Sequence, residues 1–137
     1  MKKHTGICYL LFAIFICSCG NKRIPDSCTG AMCTADFKML TVFLKDSNGA
    51  AYMPDKVETY SIDMQLINTQ SGPTIPGESM YTYIDDSNLN DLGVNTPNEV
   101  IFKVIKSNTT VKQDTFTVKA DCCHVIKVSA ADTLIVQ

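Results

Sequence analysis

Phe37-Lys38-Met39-Leu40-Thr41-Val42-Phe43-Leu44-Lys45-Asp46-Ser47-Asn48-Gly49 reads as a strand that runs directly into a turn. Its first eight residues are rich in β-branched and aromatic side chains, and Asn-Gly supplies the positive-φ position at which a chain reverses. Downstream, from Val57 to Ile67, Tyr60, Ile62, Met64 and Leu66 alternate with Ser61, Asp63 and Gln65. That period of two predicts one half-buried strand with a single wet face. Gly72-Pro73-Thr74-Ile75-Pro76-Gly77 forbids regular structure. A short strand from Met80 to Ile84 then meets the polar run Asp85-Asp86-Ser87-Asn88-Leu89-Asn90-Asp91, which reads as a solvated loop. After Pro97, Val100 to Lys106, Asp114 to Ala120, Cys123 to Val128 and Thr133 to Val136 complete the strands. No stretch has the apolar spacing of a long amphipathic helix.

About seven short strands at roughly twelve-residue spacing predict an all-β fold, an antiparallel immunoglobulin-like β-sandwich occupying residues 36–137. The chain has 137 residues, 45% hydrophobic and 19% charged, which fits one small globular domain and excludes a disordered or collagen-like polymer. Its net charge of -2 lacks the basic excess that a nucleic-acid partner requires.

The first twenty residues carry an address. Lys2 and Lys3 precede an apolar run from Ile7 to Cys17, followed by Ser18, Cys19 and Gly20. That is the layout of an export signal, and the run falls well short of the roughly 20 residues of a membrane-spanning helix. Ile16-Cys17-Ser18-Cys19 resembles the bacterial lipobox. The resemblance implies that residues 1–18 are a cleaved lipoprotein signal peptide and that Cys19 becomes the lipidated first residue, carrying diacylglycerol and palmitate as its covalent group. Cys17 is a poorer acceptor because Phe15 and Ile16 before it are bulky. Gly20, in place of Asp, implies the outer membrane. Asn21-Lys22-Arg23 lacks the acidic run associated with surface display, which favours a domain facing the periplasm. Residues 19–35 then form the tether. Cleavage removes two lysines and no acid, taking the net charge from -2 to -4.

With Cys8 and Cys17 lost and Cys19 acylated, Cys28, Cys33, Cys122 and Cys123 remain, an even number in an oxidising compartment. Two disulfides are expected. A bond between adjacent Cys122 and Cys123 is geometrically disfavoured, so the bridges should join opposite ends of the sequence. Cys122 and Cys123 read as neighbours in a strand, whose side chains point to opposite faces, so one bridge should be buried and the other near a rim; the pairing itself stays open. A zinc site built from Cys28, Cys33, Cys122, Cys123 and His124 is the rival. Three consecutive strand residues do not converge on one ion, and no metal is expected.

Phe37 to Gly49 also resembles the first hairpin of transthyretin-like and carboxypeptidase-regulatory-like domains. The mature chain as a whole resembles small uncharacterised Bacteroidetes-type lipoproteins, with a lipobox, early cysteines and a late cysteine in a strand-rich domain; that likeness implies no activity. Asp132-Thr133-Leu134 resembles the tripeptide modified by Bacteroidetes O-glycosylation enzymes.

Nothing in the sequence specifies catalysis. His124 is the one histidine of the mature chain, and neither a Gly-x-Ser-x-Gly elbow nor a phosphate-cradling glycine loop is present. Asp85, Asp86 and Asp91 lack the spacing of a calcium loop. Tyr52, Tyr60, Tyr81 and Tyr83 suit core or cross-strand packing better than a glycan platform, the more so as the chain has no tryptophan. The expected role is a non-catalytic outer-membrane lipoprotein. It would be held to the membrane by its lipid and serve as a binding or structural accessory to an envelope protein or glycan. The alternative is an envelope hydrolase or a redox or metal accessory using Cys122, Cys123 and His124.

Overall fold

A computed structural model describes residues 28–137; the expected signal peptide, residues 1–18, and the expected lipidation site Cys19 lie outside the described residues. Among the described residues there are eight strands, β1 (Met39–Lys45), β2 (Lys56–Ser61), β3 (Leu66–Gln70), β4 (Met80–Asp85), β5 (Asn98–Lys106), β6 (Thr109–Ala120), β7 (Val125–Ser129) and β8 (Thr133–Ile135). A 3-10 turn, Asp86–Asp91, follows β4. The strands form two sheets, one ordered β4-β1-β8 and the other β3-β2-β5-β6-β7. Every pairing is antiparallel except β1 with β8. This is the expected all-β sandwich. β1 and β2 fall in different sheets, because the chain reverses after β1 and then crosses the core.

That reversal occurs at Asn48-Gly49, as the sequence predicts. Gly49 takes φ +82°, and the Asp46 carboxylate accepts from the backbone N–H of Asn48 and Ala50. An aspartate that satisfies two turn amides competes effectively with further strand pairing.

The core follows from alternation. On β5, Val100, Phe102 and Val104 point inward, and Phe116, Val118 and Ala120 do so on β6. They meet Val42, Leu44, Tyr81 and Tyr83 of the smaller sheet. Phe116 lies 4.7 Å from the Tyr83 ring and 5.6 Å from Phe102, so one aromatic cluster spans both layers. β4 is buried on both sides. Thr74, in the loop between β3 and β4, laps its outer face and places its hydroxyl 2.9 Å from that of Thr82. The free edge of β4 is also covered, because Gln70 accepts from the Thr82 N–H and Asn68 donates to the Thr82 carbonyl. These two β3 side chains satisfy backbone groups that would otherwise form an open edge.

Two local expectations are corrected. The single strand expected from Val57 to Ile67 is a hairpin, since β2 ends at Ser61 and β3 begins at Leu66. Met64 stands in the left-handed region at φ 63°, and its N–H bonds to the Ser61 carbonyl. The apolar side chains of Ile62, Met64 and Leu66 are consequently exposed. No glycine or asparagine marks this turn, so the period-two pattern ran straight through it. The Asp85–Asp91 run is a capped 3-10 turn and not a solvated loop. Asp85 caps the Ser87 N–H while Asn88 Oδ1 accepts from the Asp85 N–H.

Tyr83 Oη is buried with no hydrogen-bond partner among the described residues. Desolvation, assisted by the negative charge of Asp132, pushes this phenol up to about 12. A hydroxyl that loses water and gains no partner destabilises the fold. Tyr83→Phe should therefore leave stability unchanged or raise it by up to about 1 kcal/mol, read as the midpoint of urea unfolding.

Candidate functional site

The chemistry-bearing side chains converge at one end of the sandwich, where the amino-terminal strap, residues 28–38, crosses the β6–β7 turn. Asp121 and His124 close this turn with a bond from the Asp121 N–H to the His124 carbonyl, leaving Cys122 and Cys123 as its two connecting residues. Asp121 Oδ1 accepts from the N–H groups of both Cys123 and His124 at 2.7 Å. Those two bonds hold the Asp121 carboxyl below the usual carboxylate range, outweighing its desolvation.

The two cysteines are therefore not in a strand, and strand alternation does not divide them. Both engage the strap. Cys28 is bonded to Cys122 and Cys33 to Cys123, each with a Cα–Cα distance of 5.3 Å. The expectation of two bridges between opposite ends of the sequence holds. Cys28 is buried and Cys33 exposed, so one bridge is inward and the other lies near the rim.

Asp86 is the residue that the sequence reading placed in solvent. Its side chain is 9% exposed. Oδ2 accepts from the Lys38 N–H and from His124 Nδ1, both at 2.8 Å, and Oδ1 accepts from the Val125 N–H at 2.8 Å. The Asp86 N–H in turn donates to the Lys38 carbonyl, extending the β1–β4 ladder by one exchange. Desolvation is the largest single influence on this carboxyl and pushes it up. The bonds from His124, Lys38 and Val125 together overcome that and hold it below its usual range. With Nδ1 donating to the Asp86 carboxylate, the imidazole turns Nε2 toward Thr34, whose Oγ1 lies 3.1 Å away. Thr34 directly follows Cys33, so strap, β1, the 3-10 turn and β7 are joined at one point.

His124 immediately precedes β7, where a simple strand histidine was expected. Its partners could not be paired from sequence because they lie 90 and 38 residues away. The capping pattern of Asp85 and Asn88 is the one local signal that marks 85–91 as ordered. Asp85 and Asp91 do not join Asp86 around a common centre. Among the described residues, no group of three or more His, Cys, Asp or Glu side chains is arranged to hold a metal ion.

Tyr81 and Tyr83 lie in the core and Tyr52 packs against it, whereas Tyr60 bonds to Glu58 beneath Lys103 Nζ, which stands 4.6 Å from its ring centroid. The four tyrosines therefore form no common face. Thr133, at the start of β8, is exposed, and Asp132 beside it pairs with Lys127. No described helix is long and apolar enough to cross a membrane. Comparison with protein-family models, curated proteins and solved structures found no match.

The two bridges are redundant in a measurable way. Either one alone closes a loop of about 90 residues, for which chain entropy gives roughly 4 to 5 kcal/mol. Once it is closed, the second adds only a ring of about eight residues, for which the same relation gives roughly 2 kcal/mol. Breaking either bridge by a paired Cys→Ser change should thus cost about 2 kcal/mol, whereas breaking both should cost about 7, well beyond the sum of the two. Denaturant unfolding of the three variants tests this.

The Asp86 junction should be sensitive to acid. Its folded pKa is depressed, so its contribution is fully present above the unfolded carboxylate value near pH 4 and is lost as pH falls through the lower folded value. Asp121 adds a change of the same sign. Asp86→Ala leaves the Lys38 and Val125 amides and His124 without their acceptor and should cost about 3 kcal/mol at neutral pH. That difference from the parent should shrink below pH 4, as followed by hydrogen exchange at the Lys38 and Val125 amides.

Proposed function

We propose that this chain is a non-catalytic lipoprotein of the outer membrane, acylated on Cys19, whose β-sandwich serves in the periplasm as a binding or structural accessory for an envelope protein or glycan. The observation that carries the reading is the junction between strap and sandwich. The first described residue, Cys28, is covalently joined to the β6–β7 turn, and Cys33 is joined to the same turn beside it. A domain hung from a lipid transmits any pull through this segment. Two disulfides pass the load into the five-stranded sheet, and not into the terminal hydrogen bonds of β1 alone. This arrangement suits an oxidising compartment and a protein held by its amino terminus.

A hydrolase is the second reading, favoured by the line Thr34 Oγ1, His124 and Asp86 with spacings of 3.1 and 2.8 Å. The order matches a hydroxyl, a base and an orienting carboxylate. The cysteine chemistry of that reading is weakened, since both Cys122 and Cys123 are oxidised. The neighbouring amides of Cys123, His124 and Val125 are turned to Asp121 and Asp86 and are not available to stabilise an oxyanion.

Labelled palmitate should enter the wild-type chain and be absent from Cys19→Ala, which should be released from the membrane fraction. A chain that incorporates no label rejects the lipoprotein reading. Thr34→Ala and His124→Ala should leave the binding role intact. Hydrolysis of activated esters by the parent, lost in both variants while the fold persists, rejects the non-catalytic one.

A further inference from the structure

The disulfide-fixed end of the sandwich also carries a group of exposed apolar side chains. Register places the β2–β3 turn at this end. Ser61 opposes Val100, Val100 opposes Phe116, and β6 then runs to Ala120 opposite Val125 at the β6–β7 turn. Asn88 links the two regions by donating to the Ile67 carbonyl of β3, two residues beyond the Asp86 junction with His124. Of the eleven large hydrophobic residues that are exposed among the described residues, six belong to this end: Met32, Phe37 and Met39 on or beside the strap, and Ile62, Met64 and Leu66 on the β2–β3 hairpin. Met32 is 95% exposed within the short loop that the two bridged cysteines hold in place.

We infer that this end lies against the bilayer that holds the Cys19 acyl chains, with Met32 and Phe37 on one side and Ile62 and Met64 on the other entering its interfacial layer. The inference rests on the lipoprotein reading. Its occupant follows from tether length. Eight residues lie between Cys19 and Cys28, nine backbone steps in all, so the fixed end stays within about 30 Å of the lipid even when this part of the tether is taut. The bridges prevent the strap from peeling away to lengthen it. Apolar side chains held at that range gain by partitioning into the headgroup and acyl boundary, and an acyl anchor is strengthened by a second contact. The opposite end of the sandwich then faces the periplasm.

The parent chain has no tryptophan, so single probes report cleanly. Met32→Trp, Met64→Trp and Ile75→Trp place an indole at exposed sites, the last in the loop between β3 and β4 at the far end. Each purified acylated chain is reconstituted into phosphatidylethanolamine and phosphatidylglycerol vesicles containing a bromolipid. Unfolding midpoints equal to the parent's establish that each variant is folded. Quenching at positions 32 and 64 should exceed that at 75 by at least about twofold, as expected for probes within the headgroup and acyl boundary. Equal quenching at all three, or stronger quenching at 75, overturns the inference while leaving the lipoprotein reading intact whenever palmitate is present and the chain floats with vesicles. A chain that takes no palmitate overturns both. Probes at 32 and 64 that resist the bromolipid but crosslink to a second protein in isolated membranes assign the surface to that protein and also overturn the inference.

Discussion

The Asp86 carboxylate is the point on which the strap end of the molecule turns. It takes bonds from the backbone before β1, from the first residue of β7 and from the imidazole of His124, while its own backbone extends the β1–β4 ladder. Such a carboxylate is costly to desolvate, and only several short donors to the charged form keep it ionised when buried. The donors here come from both sheets. Their convergence fixes how the two layers meet at that end, and it orients His124 toward the strap hydroxyl of Thr34.

Covalent bonds and this polar junction act on the same few residues in different ways. The disulfides limit how far the denatured chain can spread, and their effect is largely independent of pH. The Asp86 bonds are made only in the folded state and depend on its charge. A segment subject to tension from a tether would be secured by both. The aromatic cluster of Tyr83, Phe102 and Phe116 lies deeper, joining the layers through apolar contact. It serves the stability of the sandwich as a whole, with one buried phenol oxygen set against it.

Much of the fold was legible because period-two alternation and turn residues act locally. β1, the Asn48-Gly49 reversal, β4, β5 and β8 lie where composition put them, to within a residue or two. β6 extends five residues further toward its amino terminus than its apolar core suggested, since its first half projects polar side chains on an exposed stretch of the β5–β6 hairpin. The hairpin at Ile62 to Gln65 was missed because Met64 adopts a left-handed conformation without a glycine to announce it. Its exposed apolar tip looked like one face of a buried strand.

Cysteine parity and spacing by themselves determined that two bridges should tie the beginning of the domain to its end, because adjacent cysteines make a poor disulfide with each other. Which cysteine met which was decided only in three dimensions. A two-residue turn, not a strand, presents Cys122 and Cys123, and the strap passes it in one direction. The same holds for Asp86. A carboxylate in a polar run is read from sequence as solvated, since water is its cheapest partner locally. Donors from residues 38, 124 and 125 gather around it only after the sheets have packed, and that long-range convergence leaves no periodic trace in the sequence.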